Sequence, residues 1–418
     1  MRIAVVGAGL GGVAVAVGLH RAGHEVTLYE RAPELREAGT AIAITPNGVR
    51  ALDELGLAGY VRGRAVTAAN GGLRDWRGRP LLVTDVDRAQ RTAGTMSVVG
   101  RAELHRALRA PLPPALVRTA TPIHDLDQSA EEVTLRAAPG RESKSGADIG
   151  AAGHVEQAAE ADIGRDRATR GGGHAVAVDR VDAVVVADGI GSGLRGRVVP
   201  GHPGPRRTGR VDLRGVLATP AGLDVGGLVA GILVDRRTGA MFGLFSLGGG
   251  LLYWFTDAAL RGAPPEPDEA RRRMAALLDD WHPAVPALIA ATAPEDIYVD
   301  AIACLAEPLP TYAAGRIALL GDAAHAMPPD LGQGSAQAFE DAAVLTRHLT
   351  GAAPGDVPDR LRRYDAERRP RANRMIGQAL RQSRVMTRTG APAWLRDTAL
   401  RAVPGGLATR ILATIWQI

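Results

Sequence analysis

Ile3–Val6 is wholly apolar, runs into Gly7-Ala-Gly-Leu-Gly-Gly, and is followed by a second apolar stretch to Leu19. Apolar runs punctuated by glycine predict a buried parallel strand over 2–6 and a helix over 10–22. Glu25–Tyr29 repeats the strand pattern and ends at Glu30, which closes one βαβ unit. Thr45-Pro-Asn-Gly predicts a turn before a short helix, Val49–Leu57. Alternation over Thr67–Arg74 and Leu81–Asp85, split by Arg77-Gly-Arg-Pro, predicts strands of a different sheet. Arg101–Arg109 is helical, with Leu104 and Leu108 on one face.

Val133–Arg136 and Val176–Val178 read as two arms of a hairpin, separated by a Gly/Ala/charge-rich insert at about 138–174 that repeats Ala-Asp-Ile-Gly from Ala147 and from Ala161. We expect a flexible loop elaboration there rather than a domain. Ala183–Ala187 is again a buried-strand pattern, stopped by Asp188-Gly189. Residues 206–257 alternate and carry turn glycines, as antiparallel sheet does. Pro264, Pro265 and Pro267 precede a helix near Asp268–Trp281. Ile317–Leu320 predicts a core strand, Gln333–Thr350 a long helix, and 357–418 helix throughout. The expected class is α/β: a discontinuous Rossmann-like domain (1–65, 97–205, 301–350), an inserted mostly antiparallel sheet domain (66–96, 206–300), and a helical C-terminal region (351–418).

Composition narrows the function classes. Hydrophobic residues make up 46% of the 418, enough for a substantial core. The formal charge of +5 would suit nucleic acid if it were clustered. It is scattered as arginine among Asp and Glu, with Lys144 the single lysine, so no nucleic-acid partner is expected. The one basic cluster, Arg362–Arg374, lies on a predicted helix and reads as a solvated face. Cys304 is the sole cysteine, so there is no internal disulfide and no cysteine metal site, which fits a reducing, cytoplasmic setting. Residues 3–19 are too short and too rich in glycine for a membrane span, and Trp394–Ile418 reads as core or lid helix, so no integral membrane segment is expected.

Gly7, Gly9 and Gly12 stand at G-x-G-x-x-G spacing between strand and helix. The first permits the tight turn, the second lets a pyrophosphate approach the backbone, and the third lets helix and strand pack. Glu30 ends the second strand, where a carboxylate accepts hydrogen bonds from a ribose. This half alone leaves FAD and NAD unseparated. Residues 315–334 (GRIALLGDAAHAMPPDLGQG) distinguish them. Asp322 follows a strand, where a carboxylate can hold a ribityl chain. Pro328-Pro329 then stiffens a loop ending in Gly332-Gln333-Gly334 at a helix start, where N–H groups and the helix dipole favour negative charge.

GDAAHAMPPDLGQG resembles the second FAD motif of the single-component flavoprotein aromatic hydroxylases, the para-hydroxybenzoate hydroxylase family. The order GAGLGG, Arg101, Asp188-Gly189, Gly321-Asp322 is similar to that family over nearly the whole chain, with the layout of its FAD-dependent urate hydroxylase and salicylate-type members. The resemblance implies FAD as cofactor and NADPH or NADH as transient donor. It implies a reaction with dioxygen through a flavin C4a-hydroperoxide that hydroxylates a small molecule. It assigns FAD contacts to Gly7, Gly9, Gly11, Gly12, Glu30, Arg31, Ala43, Arg101, Asp188, Gly189, Asp322, Pro329, Gly332, Gln333, Gly334 and Ser335.

The same resemblance places a substrate pocket between flavin and sheet, with Arg214, Met241, Phe242, Phe245 and Tyr253 as candidate lining. Arg214 could pair with a carboxylate or phenolate. His325 is either a base or, more simply, a brace for its loop. The segment lacks the polar residues expected of a urate site, and with only 4% aromatic residues a mostly aliphatic pocket is expected, which suits a hydrophobic aromatic or polyketide-like substrate. No second G-x-G-x-x-G with its own βαβ unit appears, against flavoproteins with a separate nicotinamide domain, and no W-x-W-x-I-P marks a halogenase. Two other readings stay open: a non-oxygenating FAD oxidoreductase of the same fold, such as a polyprenyl reductase, and a vestigial flavin-binding module acting through a partner.

Overall fold

The structure is a computed structural model, and it describes residues 1–35, 40–66, 70–137, 176–260 and 266–417. Thr67–Ala69, the insert expected at 138–174, Pro264 and Pro265 lie outside the described residues. The first sheet has six strands, ordered Ala313–Ala314, Ile317–Leu319, Ala183–Val186, Arg2–Val6, Glu25–Tyr29, Val117–Arg118. All pair in parallel except the short Ala313–Ala314 strand. Such strands are covered on both faces, which is why Ile3–Val6 and Ala183–Val186 are apolar without alternation.

Register fixes the position of the site. Val6 stands opposite Tyr29 and Val186, and Val186 stands opposite Leu319. The residues that follow (Gly7, Glu30, Asp188 and Asp322) therefore emerge along one edge of the sheet. In open α/β sheets that edge is the ligand crevice.

Helix Leu10–Arg21 covers this sheet and packs against helix Gly334–Leu349. The approach depends on missing side chains. A Cβ at Gly11 would come within 2.8 Å of Leu320 Cδ2, and one at Gly18 within 2.4 Å of Thr346 Oγ1. Thr45-Pro46 is the start of helix Pro46–Glu54 rather than a separate turn, because proline suits the first helical position.

The second sheet has seven strands, ordered Ile297–Leu305, Pro205–Ala218, Leu251–Ala259, Met241–Gly248, Gly231–Val234, Asn70–Asp75, Pro80–Asp85. Only the Gly231–Val234 and Asn70–Asp75 pair is parallel. Strand Ile297–Leu305 carries this sheet past residue 300, where the sequence suggested a change of domain. Helices Pro267–Leu277 and Ala284–Ala291 cover one face, over Leu213, Phe242, Leu244 and Trp254. The predicted helix ending at Trp281 stops at Leu277, and Trp281 is buried in the same core.

The other face meets a two-stranded ribbon, Ala41–Ile44 with Ser97–Gly100, through Tyr253, Phe245, Phe255 and Val216. Three helices, Val357–Met386, Gly390–Arg401 and Gly405–Gln417, complete the chain. No helix among the described residues is long and apolar enough to cross a membrane.

Candidate cofactor and substrate site

The first glycine turn is closed by its own atoms. Gly7 has φ +104°, and a Cβ there would lie 2.3 Å from Ala187 O. A Cβ at Gly12 would lie 1.9 Å from Gly7 O. At Gly9 a Cβ would meet nothing within 4 Å. Gly7 and Gly12 thus serve the chain, whereas Gly9 leaves open space above a helix start with no side-chain cap. Free N–H groups at such a start attract phosphate.

Glu30 ties the turn down: Ala8 N donates to Oε2 and Ala32 N to Oε1, both at 2.9 Å. Each oxygen keeps a lone pair for a hydroxyl. Buried His105, which sequence reasoning missed, bonds through Nε2 to Ala8 O at 2.7 Å. Arg31 is exposed beside Glu30.

The middle of the edge carries opposed charges. Gly189 and Gly321 hold φ of +85° and +64° after neighbouring strands. Arg195 is buried, with Nε donating to Ala323 O (2.8 Å) and Nη2 to Ile190 O (2.7 Å). Burial lowers its affinity for the proton, while Asp188 and Asp322 act to restore it. Burial pushes the Asp188 carboxyl up, against its bond to Ser192 and the charge of Arg195. One oxygen of Asp188, Oδ1, is buried without a hydrogen-bond partner, and Asp322 is exposed. Arg101 opens its helix half-buried, its N–H donating to Thr40 O at 3.2 Å.

The loop beyond is shaped by glycine. A 3₁₀ turn, Pro329–Leu331, ends at Gly332 in the left-handed region, and both Gly332 and Gly334 have open space where a Cβ would stand. Pro329 and Gly332 are exposed. Ser335 Oγ reaches Ala43 O at 3.5 Å, joining the loop to the ribbon. Helix Gly334–Leu349 begins with no side-chain cap.

Gln333 departs from expectation: it is 1% exposed, and its carboxamide bonds inward to Asn47 (2.9 and 3.4 Å) and Gln337 (3.4 Å). Asn47 also donates to Glu340 at 2.7 Å. His325 is fully buried, with Nε2 2.5 Å from Asp341 Oδ2.

Arg368 joins these groups, donating to Glu340 (2.5 Å), Asp341 (2.7 Å) and Gln337 Oε1 (2.8 Å). Burial opposes ionisation of Asp341, but His325 and Arg368 outweigh it and hold the carboxyl below its ordinary range. The solvated-face reading of Arg362–Arg374 therefore fails at Arg368, although Arg362 and Arg374 are exposed. The signal was present: Arg368 falls on the buried stripe Leu361, Tyr364, Ala372, Met375, Ala379.

The substrate candidates separate by strand parity. Successive residues of a strand face opposite ways, so Met241 and Phe242 cannot both line one pocket. Phe242 is in the far core, stacked on Trp254 at 6.0 Å. Met241 packs with Met386 and Leu81, toward the C-terminal helices. Phe245 and Tyr253 stack at 6.5 Å on the face that meets Ala43. Arg214 is paired with Asp212 (3.0 Å) and with Asp300. It is therefore not an unneutralised clamp for a carboxylate. A cleft of about 420 Å³ opens farther along the same face, lined by Thr40, Tyr60, Arg64, Glu103, Val216 and Tyr298.

The residues present fit an extended FAD. Open glycines stand at both ends, and the unpartnered Asp188 Oδ1 and exposed Asp322 lie between them. Such an edge is that of a dinucleotide-binding protein. The FAD binding domain family matches residues 1–379, and the chain belongs to the FAD-dependent aromatic hydroxylases. It is 34% identical over 383 residues to the 3-amino-4-hydroxybenzoate 2-monooxygenase PtmB3 of Streptomyces platensis, covering 88% of this chain and 84% of that one. It is 32% identical to the 6-hydroxynicotinate 3-monooxygenase of Bordetella bronchiseptica, covering 90% and 89%. The crystal structure of Klebsiella pneumoniae HpxO with FAD and uric acid superposes with a TM-score of 0.82 at 25% identity, over 100% of this chain and 96% of that one.

Proposed function

We propose that this protein uses NADPH or NADH and dioxygen to hydroxylate an aromatic or polyketide-like small molecule. One observation carries the reading: the ribbon residue Ala43, which Ser335 joins to the end of the open loop Gly332–Gly334, packs with Phe245, Tyr253 and Phe255 of the second sheet. Gly9, Glu30 and Arg101 would hold the adenosine and pyrophosphate half of FAD, and Asp188 and Asp322 its middle. Gly332, Gly334 and Ser335 would cradle the ring through backbone N–H groups. FAD, when bound, supplies the hydride acceptance and oxygen activation that no side chain here provides.

The chain's own task is to orient the substrate and exclude water. The aromatic side chains supply a flat apolar wall. The double pairing of Arg214 by Asp212 and Asp300 leaves no net positive charge on that wall, so a neutral phenol or enol suits it better than a benzoate.

The test is oxygen consumption by the yellow, FAD-loaded protein with NADPH or NADH and a panel of neutral phenols, polyketides and hydroxybenzoates. The expected result is substrate-stimulated oxidation of the nicotinamide and a product heavier by one oxygen atom from dioxygen. Stimulated oxidation with no oxygen incorporated would assign a non-oxygenating oxidoreductase instead. A protein unable to take up FAD would overturn the reading.

A further inference from the structure

Arg210 is the residue on which three separate elements converge. It lies in strand Pro205–Ala218, beside an irregularity where the pairing with Ile297–Leu305 jumps from Arg207 to Val211 and Gly209 has φ +80°. Such bulges re-aim a side chain. From there Nε donates to Asp257 Oδ1 at 2.7 Å and Nη2 to Asp257 Oδ2, a two-pronged pair within the sheet. Nη1 reaches both oxygens of Asp330 at 3.3 Å and Ser383 Oγ at 2.7 Å. Asp330 belongs to the 3₁₀ turn directly before Gly332, and Ser383 to helix Val357–Met386. The side chains of Arg210, Asp257 and Asp330 are 8%, 3% and 1% exposed. A buried guanidinium with its donors filled on several elements holds them in fixed relation.

We propose that Arg210 is a positioning residue for the flavin: through Asp330 it sets the height of the loop Pro329–Gly334 over the substrate sheet, and Ser383 ties that setting to the C-terminal helix. The proposal rests on the reading of this loop as the cradle of the flavin ring. A second property follows from the charge count. Carboxylates outnumber the guanidinium, and Asp257 takes up the excess. Burial pushes its carboxyl up to about 7, Arg210 opposes this, and Asp212 and Asp330 add to it. Asp212 is itself raised by burial against Arg214 and Arg210, and Asp300 stands opposite it in register. When Asp257 holds a proton, Arg210 pairs one-to-one with Asp330. When Asp257 ionises, the two carboxylates share the guanidinium.

The test compares wild type, Arg210→Lys and Asp330→Asn, each loaded with FAD. Three properties are read: the visible absorption and circular dichroism of the flavin, its midpoint potential, and hydrogen peroxide released per nicotinamide oxidised. Lysine keeps the charge but not the fork. Both variants are expected to shift the flavin bands and to lose coupled turnover by about tenfold or more, the scale of a misplaced reacting group. The wild-type spectrum is expected to titrate near pH 7, and Asp257→Asn to remove that titration. Should Arg210→Lys fail to fold, Ser383→Ala removes one bond, keeps every charge, and is expected to move the same readouts less. Wild-type coupling and spectra in Asp330→Asn and Ser383→Ala, with the wild type yellow and hydroxylating, would overturn the positioning role alone. A wild type that binds no FAD would overturn the reading beneath it as well.

Discussion

The two ends of the cofactor crevice are built in different ways. The end we propose for adenosine is made from its own neighbourhood: Gly12 packs onto Gly7, Gly7 onto Ala187, and Glu30 holds Ala8. The end proposed for the flavin ring is held from a distance. Its loop is fixed by Arg210 from the second sheet, by Asn47 from another helix, and by Arg368 through Glu340 and Asp341. A pyrophosphate needs only a rigid turn at a helix start. A ring that must meet a substrate needs its loop set relative to other elements.

The sharpest way to break this comparison is at Arg368. Arg368→Met leaves Glu340 and Asp341 buried with much of their compensation gone, although Arg371 still pairs with Glu340. We expect a loss of roughly 3–5 kcal/mol, the usual cost of breaking a buried pair, read by urea unfolding. The flavin end should loosen first, because Asp341 also receives Gly321 N–H and His325. An unchanged unfolding midpoint would remove the network from the account.

Next in size is Gly12→Ala. Its Cβ would overlap Gly7 O, so helix and strand must part, at about 1–3 kcal/mol of stability and with loss of FAD. Wild-type stability in this variant would show that the turn is not as tight as described.

A further effect is read against pH. In the folded protein the Asp257 carboxyl is raised to about 7, while an unfolded chain titrates it near ~4. Between those values the folded state keeps a proton that the unfolded state has lost. This group therefore makes stability fall as pH rises from about 4 to about 7, with no further change above. Asp257→Asn should flatten that slope in thermal unfolding. An identical slope in the variant would place the titration elsewhere.

The same contrast explains what was legible in the sequence. The packing of Gly12 on Gly7 and of Glu30 on Ala8 was legible because those partners lie within one βαβ unit, where spacing determines geometry, whereas the contact of Gly7 with Ala187 comes from a strand far along the chain. Gly332 and Gly334 could be read as a loop, but the tie through Asp330 could not. Arg210 reaches it from a bulge, and strand register is not a local property. Arg368 was read as a surface charge because its type outweighed its place on an apolar stripe. Phe242 was assigned to the pocket although alternation already placed Met241 and Phe242 on opposite faces. The aromatic face with Phe245 and Tyr253 was visible as alternation, but the pairing of Arg214 with Asp300 was not, because Asp300 comes from a strand more than eighty residues beyond Arg214.

We propose that Gly9, at the helix start, leaves space for a cofactor and not for the chain. Gly9→Ala tests it most directly, because its φ of −67° suits alanine and its Cβ meets no protein atom. The measurement is FAD affinity by equilibrium titration, beside thermal unfolding of the FAD-free protein. The expected result is unfolding within about 0.5 kcal/mol of wild type and FAD binding weaker by about tenfold or more, or ~1.4 kcal/mol. FAD affinity equal to that of wild type in a folded Gly9→Ala protein would contradict it.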